Sequence, residues 1–151
     1  MSEYAEGSIE VRASAAEVME VITDFEAYPQ WAEVEDVKVL ERGDAGRGTE
    51  VAFRVNVPVL GRAQYTLSYV YAPGDAGVSW TTKEARGAVR DIRGEYLLDE
   101  LDELDEEITR VTYRLAVELG VLVPGFIRTQ GSERIIDNAL ERLRRRVEAA
   151  A

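Results

Sequence analysis

An α+β fold is predicted for this chain, with one long curved antiparallel sheet and a long C-terminal helix lying against it. Three observations predict it. Ile136, Leu140, Leu143 and Val147 recur at i, i+4, i+7 and i+11, one face of a 3.6-residue helix. Most of the preceding chain alternates apolar and polar residues with period two, broken by Gly- and Pro-containing turns. A helix from Pro124 to Ala149 spans about 39 Å, the width of a small domain, and no other segment reads as a helix of that length.

The elements follow in order. Glu6 to Arg12 alternates loosely and makes a first strand. Ser14-Ala15-Ala16-Glu17 is a capping box, in which the Ser14 hydroxyl accepts from the Glu17 amide while the Glu17 carboxylate reaches back. The helix it opens puts Val18, Val21, Ile22 and Phe25 on one face. Pro29 disfavours helix at Tyr28, so the first helix ends before it, and Tyr28 and Trp31 pack a second short helical turn. Strands are expected at Val34–Glu41, Gly48–Val57, Arg62–Tyr71, from Val78 to Thr82, at 88–98 and at Ile108–Leu119. Asp99 to Glu107 reads as an acidic turn.

The C-terminal helix carries Ile135 and Ala139 at the margin of its stripe. Asp137, Asn138, Glu141, Arg142, Arg144 and Arg145 fall outside it. Phe126 and Ile127 lie off the later stripe, which suggests a bend near Gly131 and a lid over residues 121–127.

Composition narrows the chemistry. The 151 residues are read as one domain, 1–151, long enough to bury about two thirds of the unfolded surface. No apolar run reaches the 18 residues of a membrane span, and the N-terminus has neither basic start nor apolar core, so a cytoplasmic protein without stable membrane insertion is expected. The sequence contains no cysteine and no histidine. Disulfides, thiolate nucleophiles, the Ser-His-Asp triad and the commonest zinc ligand are thereby excluded. A net charge of −11 repels phosphate backbones, so no nucleic-acid partner is expected. The carboxylates between Asp99 and Glu107 fit no EF-hand spacing, and Gly43–Gly48 lacks the Lys-Ser/Thr of a phosphate cradle; neither a metal nor a cofactor is expected.

Four segments together resemble the polyketide cyclase/dehydrase family of the START-like (SRPBCC) lipid-transfer superfamily. They are Ala16–Trp31 with its Asp24-Phe25-x-x-Tyr28-Pro29-x-Trp31 core, Gly94-Glu-Tyr-Leu-Leu98, Thr109-Arg-Val-Thr-Tyr-Arg-Leu115 and Val123-Pro-Gly-Phe-Ile127. The resemblance spans nearly the whole chain. It implies a helix-grip fold, a seven-stranded sheet gripping the C-terminal helix around a hydrophobic cavity, and a lipid, polyketide, quinone or sterol-like ligand.

Candidate site residues follow from the inward registers. Phe53, Tyr65, Tyr69, Trp80, Tyr96 and Tyr113 are expected to line a cavity, with Arg90 at its mouth and Ser132 and Ile136 contributed by the helix. Phe126, Ile127 and Thr129 are expected at the entrance. The leading expectation is a non-enzymatic binding protein for a hydrophobic small molecule, monomeric or weakly dimeric. A polyketide cyclase or dehydratase using Tyr65, Tyr69, Tyr113 and Arg90 is the alternative. A third is an acidic module docking on a basic protein partner.

Overall fold

The computed structural model describes the backbone of residues 5–57, 61–103, 106–119 and 125–150, with their side chains apart from residues 44, 102–103, 125–133 and 150. Seven strands form one antiparallel sheet: β1 (Ala5–Val11), β2 (Asp36–Arg42), β3 (Gly48–Val57), β4 (Gly61–Tyr71), β5 (Gly77–Gly87), β6 (Val89–Glu103) and β7 (Glu106–Leu119). Their order across the sheet is β1-β7-β6-β5-β4-β3-β2. Consecutive strands from β2 to β7 are thus neighbours, and β1 closes against the last. Three α-helices accompany them, α1 (Ala15–Thr23), α2 (Tyr28–Trp31) and α3 (Gly125–Ala150).

The capping box forms as its sequence requires. Glu17 N donates to Ser14 Oγ at 3.2 Å and Ser14 N donates to Glu17 Oε1 at 3.2 Å. These bonds from Ser14 hold the Glu17 carboxyl below the usual carboxylate range. Helix α1 then ends at Asp24, and a 3-10 turn over Phe25–Ala27 leads into α2. Tyr28 is helical, with φ −53° and ψ −40°, contrary to the expectation from Pro29. The physical reason is position. Pro29 lies in the first turn of a new helix, where the missing N–H has no intrahelical partner to lose.

Two strand boundaries also differ from the sequence pattern. β5 runs on to Gly87, and the acidic segment is mostly ladder rather than turn, with Asp99 opposite Arg110 and Glu103 opposite Glu106. Cross-strand pairing extends both strands beyond the segment where alternation is apolar.

Helix α3 continues without interruption through Gly131. It packs chiefly on β1 and also contacts β7 and α1. Ile136, Leu140, Leu143 and Val147 are all buried. Gly7 of β1 makes the approach possible: a Cβ there would stand 2.7 Å from Ile136 Cγ2. At the far end Arg12 N donates to Glu148 Oε2 at 3.0 Å, fixing the helix along the strand. Helix α1 is tied to the β6–β7 hairpin by Thr109 Oγ1, which donates to the Ala13 carbonyl at 2.8 Å. Ala15 N donates to Glu100 Oε1 at 3.3 Å in the same corner.

The two sides of α3 differ sharply in burial. Leu143 has no exposed surface, whereas Ile135 is 44% exposed. Leu143→Ala should lower the unfolding free energy by about 3 kcal/mol, the usual cost of emptying a packed leucine site. Ile135→Ala should cost under about 1 kcal/mol. Urea denaturation of both variants checks this, and equal losses would contradict the assignment of the packing face.

Candidate functional site

A cavity of about 260 Å³ lies between the sheet and the second face of α3. Its walls follow from the strand registers. β3 gives Phe53, Val55 and Val57; β4 gives Tyr65, Leu67 and Tyr69; β5 gives Trp80. β6 supplies Val89, Ile92 and Tyr96, and β7 supplies Tyr113, Leu115, Val117 and Leu119. Ile22, Tyr28 and Trp31 come from α1 and α2, and Ile135, Asn138, Ala139 and Arg142 from α3. Such a wall, apolar with a few polar groups, is the usual composition of a small-molecule site.

The rings form a connected array. Tyr96 and Tyr113 stand 4.6 Å apart between centroids, Trp80 lies 5.4 Å from Tyr96 and 5.8 Å from Tyr113, and Tyr69 lies 5.8 Å from Trp80. Phe25 joins Tyr69 at 4.8 Å to Tyr28 at 5.3 Å, and Tyr28 meets Trp31 at 5.1 Å. Tilted and edge-on pairs at these distances are favourable, so each ring holds its neighbour in place. Gly94 of β6 seats the array. It pairs with Trp80, and a Cβ there would meet the indole at 2.7 Å and the Arg114 carbonyl oxygen at 2.6 Å.

Five of the seven tyrosines line this cavity: Tyr28, Tyr65, Tyr69, Tyr96 and Tyr113. The Tyr28 hydroxyl donates to the Ile22 carbonyl, and that of Tyr71, outside the cavity, to the Gly48 carbonyl at 2.6 Å. Among the described residues the other four hydroxyls find no hydrogen-bond partner. The indole Nε1–H of Trp31 is likewise buried without an acceptor. Burial pushes the phenols of all five well above the ordinary tyrosine value, and neighbouring phenols add to the effect for all except Tyr65. They remain protonated hydrogen-bonding groups and are ill suited to act as bases.

At the mouth, α3 is strapped to the segment around α2. Arg142 pairs with Glu33 at 3.0 Å and donates to the Trp31 carbonyl at 3.4 Å, and Arg146 donates to Gln30 Oε1 at 3.0 Å. Glu33 and Arg142 both face the cavity rim, and both are substantially exposed. Among the described residues no cluster of potential metal ligands is found.

The six aromatic residues expected to share an interior, Phe53, Tyr65, Tyr69, Trp80, Tyr96 and Tyr113, all reach this one cavity. Arg90 does not join them. The β6–β7 pairing slips between Val89 and Asp91, which turns Arg90 outward, 68% exposed and 3.5 Å from Glu118. Ile136 also lies elsewhere, buried against Gly7, because the apolar stripe of α3 faces β1. The side chains of Phe126, Ile127, Thr129 and Ser132 lie outside the described residues. Sequence reasoning missed Tyr28, Trp31, Asn138 and Arg142. For the first two the signal was present, since the Asp24–Trp31 segment has more aromatic surface than two short helical turns can bury alone. For Asn138 and Arg142 the helical wheel hid it, by placing them on what looked like a solvated face.

Linkage gives the alkaline behaviour. Folded pKa values above those of the unfolded chain mean that the native state holds protons which the unfolded state releases above about pH 10. This stabilisation is intact below that pH and is lost as pH rises toward the folded values. Absorbance of phenolate at 295 nm should therefore rise in step with loss of far-UV circular dichroism, in one cooperative transition above about pH 10. Ionisation of most tyrosines at ordinary pKa with the fold intact would contradict the burial described.

Comparison with known proteins agrees with the architecture. The family described as polyketide cyclase / dehydrase and lipid transport matches residues 4–148. Among solved structures, a START superfamily protein from Mycobacterium smegmatis superposes with a TM-score of 0.84 at 21% identity, over 98% of this chain and 99% of the other. A protein from Thermus thermophilus gives 0.76 at 19% identity, covering 99% of both chains. The Zhui aromatase/cyclase of a Streptomyces species gives 0.71 at 18% identity, over 98% of this chain and 94% of the other. No curated protein sequence matches at a significant level. With a matching family model over nearly its full length and the seven-stranded sheet around a C-terminal helix, the chain belongs to the polyketide cyclase / dehydrase and lipid transport family.

Proposed function

We propose that this protein is a carrier or sensor that encloses one hydrophobic small molecule, a lipid, polyketide, quinone or sterol-like compound, between its sheet and α3. The observation that supports this most is the cavity itself, walled by rings and aliphatic side chains, while Ile136, Leu140, Leu143 and Val147 pack the other side of the C-terminal helix. The chain is taken to act as one domain, and the packing stripe of α3 supplies the stability that an unfilled interior does not.

A second reading is a cyclase or dehydratase acting on a bound polyketide chain, and the family description favours it. Such chemistry needs a group that takes up a proton near neutral pH. The described wall offers phenols whose pKa values are displaced away from that range, and one carboxylate, Glu33, already paired with Arg142. Binding is therefore the better supported function.

The neutral fluorophore N-phenyl-1-naphthylamine tests the binding reading. It should give a saturable fluorescence increase at one molecule per chain. Ala139→Phe, placed on the cavity side of α3, should weaken that binding at least tenfold with an unchanged far-UV spectrum, because the added ring occupies the ligand volume. Absence of saturable binding, or indifference to Ala139→Phe, would refute the assignment of this cavity as the site.

A further inference from the structure

The polar groups of the cavity are arranged unevenly, and that unevenness bears on the chemistry of the ligand. Among the described lining residues only Glu33 and Arg142 are charged, and they neutralise one another at the rim at 3.0 Å. Among the described residues, the interior behind them holds no countercharge for an anion. A carboxylate carried inside would exchange its hydration for neutral phenol donors alone, with no described cation to balance its charge. The chain's net charge of −11 also opposes the approach of anions.

What the interior does hold is a surplus of donors. Tyr65, Tyr69, Tyr96 and Tyr113 present hydroxyls without a partner among the described residues. Polar groups inside a protein are almost always paired, so four hydroxyls facing one cavity mark places where a bound molecule completes the pairing. A phenol oxygen, conjugated with its ring, donates better than it accepts. The complementary ligand carries acceptors. Rings at centroid spacings of 4.6–5.8 Å around Trp80 further offer faces and edges to a flat aromatic partner.

Building on the binding reading above, we propose that the cavity selects uncharged aromatic ligands bearing carbonyl oxygens, in preference to carboxylates and to unsubstituted aromatic hydrocarbons. The carbonyls accept hydrogen bonds from Tyr96, Tyr113 and their neighbours, and the rings of the wall embrace the ligand's apolar edges.

Three probes of one ring size separate the contributions: 2-methyl-1,4-naphthoquinone, 2-methylnaphthalene and 2-naphthoate. Each is titrated into the intact protein by calorimetry, with displacement of N-phenyl-1-naphthylamine as a second readout. The chain has no cysteine, so the quinone cannot alkylate a thiol. The quinone should bind at least tenfold more tightly than either comparator. Tyr96→Phe and Tyr113→Phe should each weaken quinone binding about fivefold, the worth of one neutral hydrogen bond, and leave the hydrocarbon unaffected. Urea midpoints of both variants verify that the fold is kept.

A hydrocarbon as tight as the quinone would overturn the role of the phenols, and a naphthoate as tight would overturn the selection against charge. In both cases saturable binding of the fluorophore would still uphold the cavity as a site. If neither the fluorophore nor any of the three binds, the cavity reading itself falls and this inference with it.

Discussion

The structure depends on one close approach, that of α3 to β1. Gly7 leaves no room for a side chain, Ile136 fills the space, and the stripe through Leu140, Leu143 and Val147 continues the contact along the strand. A helix seated so firmly at the β1–β7 side of a curved sheet cannot also touch the strands on the other side. The gap between α3 and β3, β4 and β5 follows geometrically, and the aromatic residues of those strands turn into it. The cavity is thus produced by where the helix is held. It does not require that any wall be poorly packed, since the rings brace one another along the array from Phe25 to Tyr113.

The segment between α1 and β2 completes the enclosure from a different direction. Its position is set at one end by the capping box and by the bonds from Thr109 and to Glu100, which seat α1 on the β6–β7 hairpin. At the other end Arg142 and Arg146 bind Trp31, Glu33 and Gln30 across the mouth. The second attachment is made of exposed ion pairs and hydrogen bonds, which individually contribute little. The first includes a fully buried threonine. The anchored end is therefore the firmer one, and the mouth is closed by the weaker contacts.

Much of the fold was legible because period-two alternation and the helical stripe report burial, and burial is what the sheet and helix share. The strand from Gly48 to Val57 and the capping box at Ser14–Glu17 fall where the pattern puts them. Arg90 departs from the inward register because the irregularity lies at that residue, between Val89 and Asp91, while Ile92 and Tyr96 keep the expected face; nothing in alternation alone announces it. Tyr28 departs from the bias against helix before proline because Pro29, in the first turn of α2, costs no intrahelical hydrogen bond and the ring contacts of Tyr28 with Phe25 and Trp31 hold it there. The site was legible on its sheet side and obscure on its helix side. Ile136 marks the face that packs, whereas Asn138, Ala139 and Arg142 mark the face that meets the cavity, and a helical wheel scores the latter as half solvated.

The division of α3 into two faces has an evolutionary consequence. Residues that secure the helix, Ile136, Leu140, Leu143 and Val147, are separate from those that meet the cavity, Ile135, Asn138, Ala139 and Arg142. Substitutions at the second set alter the shape and polarity presented to a ligand while leaving the helix anchored. Sequence change along that one side of the helix can therefore accumulate without unseating it.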